Sequence, residues 1–346
     1  MLFAVKDGPN GRELKKMQLD SHPKCALFEQ QIVQDESTIL VRYHAAPKDP
    51  KDSTPSQTGN SEQEKTPEIQ LPLQPDISTL EPITVDLHGS PASAYRMGDA
   101  YDDWFSTHFG IQTLLVYIGD GGRAILGTTL VPKPSSTQPS PPPQQTKGWG
   151  LSSLTSYLTG NTTTTTPKQP EIPIPTPTLT FTDVSPLLIA SESSVRDVTS
   201  RFETFHPPTP TSLVYKFRPN IVLDGEGEEP FAEDFWAELS VSSLSSQGQQ
   251  KILLTGNCVR CTSLNVDYTL GRPAEGEDGT MLKKLMRDRR VDAGSKWSPV
   301  FGRYGCLVPD EEDNGEGGGF IRVSVGDEVQ VTRRNAERAV WDWPDL

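Results

Sequence analysis

The amino-acid sequence predicts an α+β, β-rich protein: a β-barrel with helical decoration, cut by two disordered insertions. Three observations carry that prediction. Short apolar or alternating runs of strand length recur along the chain between Gly, Pro, Asn and Asp turn residues, and few stretches have helical spacing. Two long polar segments, 47–82 and 131–178, are rich in proline and interrupt that pattern. The composition is diluted to match: 346 residues include 31 prolines, and 34% are hydrophobic, fewer than a wholly folded chain carries. At roughly 100–200 residues per domain the length suggests two domains, and the chain divides into 1–130, a linker at 131–178 and 179–346.

Residues 1–6 form a short apolar run and predict the first strand, followed by the turn residues Asp7-Gly8-Pro9-Asn10-Gly11. The chain thus begins inside a hairpin, with no strand before it. Residues 26–33 and 38–43 predict further strands. The segment 47–82, with Pro47, Pro50, Pro55, Pro67, Pro72, Pro75 and Pro82, reads as a loop insertion. Order returns with a strand at 83–87. Tyr101, Trp104, Phe105 and Phe109 recur at helical spacing and predict a helix over 99–109 with Asp99 as its N-cap. A strand at 112–119 and a turn at Gly119-Asp120-Gly121-Gly122 close the front part.

The linker contains Pro141-Pro142-Pro143 and a threonine tract at 162–166. Within it, Trp149, Leu151, Leu154, Tyr157 and Leu158 fit one short amphipathic helix, either a transient helix or a docking motif. Beyond it, 187–190 predicts a buried strand and 191–205 a helix opening with Ser191, Glu192 and Ser194. Strands are expected at 217–223 and 251–254 and a helix at 281–288. An acidic, Gly-rich loop at 310–319 precedes a hairpin-like pair, 320–325 and 328–331, around Gly326-Asp327.

Composition also excludes function classes. A net charge of −14 argues against gripping a phosphate backbone. No apolar run approaches the ~18 residues of a membrane span, and residues 1–6 lack the basic and long apolar regions of a signal peptide. Four cysteines in a chain of this length suggest a reducing compartment rather than a disulfide scaffold. Phosphate-loop, dinucleotide, GxSxG and HExxH patterns are missing, which leaves hydrolase, flavin and nicotinamide chemistry without support.

Three stretches carry candidate chemistry. Cys258-Val259-Arg260-Cys261 admits four readings: half a zinc site, a redox pair, two buried structural thiols, or a soft thiolate ligand for one heavy metal with Arg260 favouring the thiolate. In Lys216-Phe217-Arg218-Pro219-Asn220, an arginine leaving a strand beside Pro–Asn makes an anion fork. Phe231-Ala232-Glu233-Asp234-Phe235-Trp236 holds paired acids, read either as acid/base groups or as a solvated turn beside an anchoring aromatic.

Five ordered blocks make a more specific pattern than any one of them: Thr182-Asp183-Val184-Ser185-Pro186, Phe217-Arg218-Pro219-Asn220-Ile221-Val222, Ala232-Glu233-Asp234 with Trp236, Cys258-Val259-Arg260-Cys261 with Val266-Asp267, and Ser298-Pro299-Val300-Phe301-Gly302-Arg303-Tyr304-Gly305. Together they resemble the MOSC family, the molybdenum cofactor sulfurase C-terminal domain, in particular the mitochondrial amidoxime-reducing component and its fungal relatives. The resemblance implies a MOSC β-barrel at 179–346 preceded by the family's N-terminal β-barrel-like domain. It implies a molybdenum–molybdopterin cofactor with Cys261 as metal ligand, and Cys261 and Asn220 as catalytic residues. Asp183, Ser185, Arg218, Asn220 and Arg260 would bind the cofactor, and Cys258 would be structural. Family members begin with a strand and a Lys–Ser pair that this chain starts after. The implied activity is reduction of a small N-hydroxylated or N-oxide-type compound, with electrons from an external donor protein, a cytochrome b5-type carrier or a reductase. A non-catalytic cofactor carrier and a persulfide-handling domain are the alternatives; the latter would need a separate pyridoxal phosphate-binding partner. The implied location is cytoplasmic, or the mitochondrial outer membrane where an N-terminal anchor is present.

Overall fold

A computed structural model describes residues 1–9, 11–33, 37–47, 66–128, 130, 178–203, 210–225, 227–242, 249–308 and 323–344. The expectations for 131–177, including the helix at 149–158, and for 310–319 lie outside the described residues. The fold is α+β and strand-rich, with sheets that curl into nearly closed and half-barrel forms.

The front part contains β1 (Leu2–Gly8), β2 (Gly11–Lys16), β3 (Phe28–Val33), β4 (Thr38–Tyr43), β5 (Glu68–Pro72), β6 (Glu81–Leu87), β7 (Ser90–Arg96), α1 (Asp99–Phe109), β8 (Thr113–Tyr117) and β9 (Arg123–Ala124). The rest contains β10 (Thr178–Leu179), β11 (Leu187–Ser191), α2 (Glu192–Ser200), α3 (Pro210–Phe217), β12 (Ile221–Leu223), β13 (Trp236–Ser242), β14 (Gln249–Val259), β15 (Val266–Asp267), β16 (Arg272–Pro273), α4 (Met281–Met286), β17 (Val300–Val308) and β18 (Glu328–Arg334).

In front, one sheet runs β2-β1-β8-β7-β6 and a second runs β3-β4-β5. The first hairpin closes with Gly8 opposite Gly11, whose φ of +113° is open to glycine. Period-two burial sets the sheet faces: Val85 and Leu87 on β6 and Ala92 and Ala94 on β7 point inward. Helix α1 buries Phe105 and Phe109, one turn apart, against Phe28, whose ring stacks on Phe109 at 4.4 Å. The principal sheet behind runs β12-β11-β17-β14-β13-β18, with β11 and β12 parallel and the other pairs antiparallel. Ile189, Trp236, Leu239 and Ile252 fill its apolar face.

The structure corrects several sequence expectations. Residues 68–72, read as loop, form β5 at the edge beside β4, where flanking prolines are tolerated. Cys25, Ala26 and Leu27 belong to a 3-10 turn before β3. Gly98, not Asp99, caps α1, and Asp99 lies in its first turn, ion-paired with Arg96. Helix α2 stops at Ser200. Phe217 ends helix α3 rather than opening a strand: Pro219 bars the helix, and Arg218 closes it in the left-handed conformation (φ +57°), its N–H bonding the Val214 carbonyl at 2.7 Å. Residues 323–325 form no strand, and β18 pairs with β13. No helix among the described residues is long and apolar enough to cross a membrane.

Candidate functional site

Hydrogen bonds link the motif blocks to one another. The Asn220 N–H donates to the Leu188 carbonyl and the Leu188 N–H donates to Asn220 Oδ1, both at 2.8 Å. This reciprocal clamp sets β12 alongside β11. Arg260, just past β14, donates from Nη2 to the Phe217 carbonyl at 2.6 Å and lies 5.4 Å from the Phe217 ring centre. Its backbone N–H bonds the Pro299 carbonyl at 2.8 Å. One arginine therefore fixes the Cys258–Cys261 turn to the end of α3 and to the start of β17.

The two cysteines of that turn differ. Cys258 is buried, its sulfur 2.9 Å from Arg260 Nη1, and it also hydrogen-bonds the buried Tyr304 hydroxyl. Burial first, then the sulfur of Cys258, pushes the Tyr304 hydroxyl far above the ordinary tyrosine range. Cys261 is exposed and caps the 3-10 turn 262–265, with its Sγ donating to Ser263 Oγ at 3.2 Å. The Arg260 guanidinium is thus directed at Cys258. None of the four cysteines is in a disulfide, and Cys261 is the exposed one.

The paired acids hold the scaffold. Glu233 and Asp234 are fully buried, which corrects both the acid/base and the solvated-turn readings. Glu233 accepts from Ser191 Oγ at 2.9 Å and Ser194 Oγ at 2.8 Å, while Ser191 caps α2 by accepting the Ser194 N–H. Burial raises the Glu233 carboxyl above its usual range, against the lowering effect of those hydroxyls. Asp234 accepts from Arg289 Nη2 at 2.7 Å and from Arg338 Nε at 2.8 Å. Its carbonyl accepts from the buried Arg303, which also reaches Asn257 Oδ1, at 2.9 Å each. Removal from water lowers the Arg303 guanidinium to about 10.

Asp183 stands on the irregular connection from β10 to β11. Its carboxylate is 3.5 Å from His88 Nε2 and 3.9 Å from Lys16 Nζ, and those two nitrogens are 2.5 Å apart. The His88 imidazole, then the Lys16 and Arg218 charges, hold the Asp183 carboxyl down at about 2. Burial lowers the Lys16 ammonium, with Asp183 the largest opposing charge and Cys261 also in electrostatic reach. Arg123, itself buried, gathers this corner: it donates to the carbonyls of Thr180 at 3.2 Å, Thr182 at 2.7 Å, Leu87 at 3.4 Å and Asp183. Trp343 Nε1 adds a bond to the His88 carbonyl at 2.8 Å. Lys16, His88 and Arg123 were not visible as site residues in sequence, since no spacing links them to the motif blocks.

Residues 176–330 match the family model of the MOSC domain. Over those residues the chain is similar to the MOSC domain. It is 33% identical over 163 residues to the molybdenum cofactor sulfurase of Emericella nidulans, an alignment covering 44% of this chain and 18% of that protein. It is 33% identical over 133 residues to human mitochondrial amidoxime-reducing component 1, covering 37% of this chain and 34% of that protein. The mouse protein of the same name is 33% identical over 152 residues, covering 44% of this chain and 38% of the relative. The chain thus spans well under half the length of these relatives.

Within the matched segment the expected site residues divide. Cys261, Arg218, Asn220 and Asp183 are exposed. Ser185 is buried and donates to the Gly305 carbonyl at 2.8 Å, tying the Asp183 connection to β17. The hydroxyls of Tyr268 and Thr182 are buried without a hydrogen-bond partner among the described residues. Tyr268 is in electrostatic reach of Arg218, Arg260 and Cys261, and Thr182 adjoins Asp183. Buried unpaired hydroxyls are costly, and two of them near Asp183, Arg218 and Cys261 suit a site that receives a polar ligand.

Proposed function

We propose that this chain holds a molybdenum–molybdopterin cofactor through the Cys261 thiolate and is an oxidoreductase for small N-hydroxylated or N-oxide-type compounds. The observation that carries the reading is one exposed thiol, Cys261, with Arg218, Asn220 and Asp183 also exposed, Lys16 in electrostatic reach of both Cys261 and Asp183, and Asp183 in reach of Arg218. The donor set fits the group: a soft thiolate suits molybdenum, an exposed guanidinium suits a phosphate, and a carboxylate suits pterin N–H donors. The likeness to the MOSC domain and the names of the relatives support the same chemistry.

Each residue has a bounded role. Arg218 presents a guanidinium that has no hydrogen bond or ion pair among the described residues and is free to take an anionic phosphate. Asn220 spends Oδ1 on Leu188, which leaves its Nδ2 hydrogens for the ligand. Arg260 does not reach outward; it orients the turn carrying Cys261 through Phe217 and Pro299. When bound, the cofactor supplies two-electron removal of oxygen from an N–O bond, with overall balance N–OH plus two electrons and two protons giving N–H and water. The electrons come from a separate donor protein of cytochrome b5 or reductase type.

The test is expression in a host that makes the cofactor, followed by molybdenum and pterin measurement on purified protein. Wild type is expected to carry both, and Cys261→Ser to lose the molybdenum. A wild type without molybdenum, or Cys261→Ser with an undiminished content, overturns the proposal.

A further inference from the structure

Lys16 ends β2 and His88 sits at the turn between β6 and β7 in a left-handed conformation (φ +59°), both in the front part of the chain. Their side chains are 10% and 13% exposed, whereas that of Asp183 is 67% exposed. Two nitrogen bases therefore lie behind a carboxylate whose outer face meets solvent. Lys16 Nζ and His88 Nε2 are hydrogen-bonded to each other at 2.5 Å. Burying such a pair is unfavourable unless it meets an anion. Among the described residues, Asp183 is the one carboxylate in ion-pair range of either. Arg123 secures the arrangement from below by binding the carbonyls of Leu87 and Asp183 together. The same corner lies near the other expected site residues, since Lys16 is in electrostatic reach of Cys261 and Asp183 in reach of Arg218.

We infer that Lys16 and His88 are positioning residues of the cofactor site, contributed by the front part of the chain, which fix Asp183 as the acceptor for pterin N–H donors. This rests on the cofactor reading above. It assigns the front part a role in the site, through residues that touch Asp183 rather than the ligand. Partners that orient a ligating group change retention by about 10- to 100-fold when removed.

The experiment compares wild type, Lys16→Met, Lys16→Arg, His88→Asn, Asp183→Asn and the Lys16→Met/Asp183→Asn pair, all expressed in a cofactor-competent host. Molybdenum and pterin per chain are followed during dilution to obtain the rate of cofactor loss, and melting of the cofactor-free proteins checks folding. Lys16→Met and His88→Asn are expected to lose cofactor about 10- to 100-fold faster, and Lys16→Arg to stay within about threefold of wild type. If Lys16 acts through Asp183, the paired variant loses cofactor no faster than Asp183→Asn alone. Should Lys16→Met fail to fold, Lys16→Arg and His88→Asn carry the comparison. Wild-type retention in Lys16→Met or, where that variant does not fold, in His88→Asn overturns the inference, as does additivity in the paired variant. Cys261→Ser in the same series separates the two ideas. If it releases molybdenum while Lys16→Met and His88→Asn keep theirs, this inference alone falls; if it keeps molybdenum, the cofactor reading falls with it.

Discussion

Substituting Arg218 by glycine separates what its backbone contributes from what its side chain contributes. At φ +57° an L-residue is strained by about 1–2 kcal/mol, which glycine does not incur. Glycine gives back part of that gain, about 0.5–1 kcal/mol, through the greater freedom of the unfolded chain. The exposed Arg218 side chain forms no hydrogen bond or ion pair among the described residues, so its removal subtracts little from the cofactor-free fold. The net expectation is a stabilisation of about 0.5–1 kcal/mol, or a melting temperature raised by roughly 1–4 °C for a chain of this size. The same change removes a charge-assisted contact to the phosphate worth about 1.5–3 kcal/mol, so retention should fall about 10- to 100-fold. Arg218→Ala keeps the left-handed strain and loses the charge; it should melt with wild type and shed cofactor with Arg218→Gly. Thermal unfolding of cofactor-free protein and molybdenum content of loaded protein are the two readouts. A glycine variant that melts below wild type refutes the strain argument, and one that keeps its molybdenum refutes the role of the guanidinium.

Two further expectations concern the buried acids. Asp234→Ala leaves the buried Arg289 and one bond of Arg338 without their carboxylate, which costs about 3–5 kcal/mol and lowers the melting temperature by roughly 10 °C; a change within about 2 °C would show that the network is dispensable. Glu233 has its carboxyl raised by burial, so its ionisation costs more in the folded than in the unfolded chain. Its contribution is full below the unfolded value of about 4.3 and is lost as pH rises through the folded value. Relative to wild type, Glu233→Gln should therefore gain melting temperature as pH is raised from about 4, and a difference that does not change with pH would refute this.

Periodic segments were legible because their signal is local. Helix α1 matches the predicted 99–109, since Tyr101, Trp104, Phe105 and Phe109 recur at helical spacing and pack on one core, and β4 matches 38–43. Strand β5 was hidden by its prolines, although Ile69 and Leu71 alternate as an edge strand requires. The end of α3 was misread because Leu213, Val214, Tyr215 and Phe217 have strand-like composition. Their helix is imposed by packing, with Phe217 stacked on Phe301 at 3.7 Å. The motif blocks were legible as contiguous words. Lys16 and His88 were not, because residues 72 positions apart meet only after the sheets form. The acids at 233–234 were legible as a pair but not as buried scaffold, since burial does not show in composition.

Burial also explains how the molecule divides its charges. A carboxylate fully out of water persists only with fixed partners, and Glu233 and Asp234 have them in Ser191, Ser194, Arg289 and Arg338. Such acids bind the motif blocks to one another and have no capacity left for a ligand. The exposed groups, Asp183, Arg218, Asn220 and Cys261, have the opposite character: each is held through its backbone or one atom and keeps another free. The net charge of −14 does not oppose an anionic ligand here. Charges in solvent are screened beyond about 8 Å at physiological ionic strength, and the nearby side chains include the cations Arg218, Arg260 and Arg123. Local potential, not total charge, decides what such a site admits. An acidic chain can therefore hold a phosphate at this point and still repel nucleic acid over the rest of its surface.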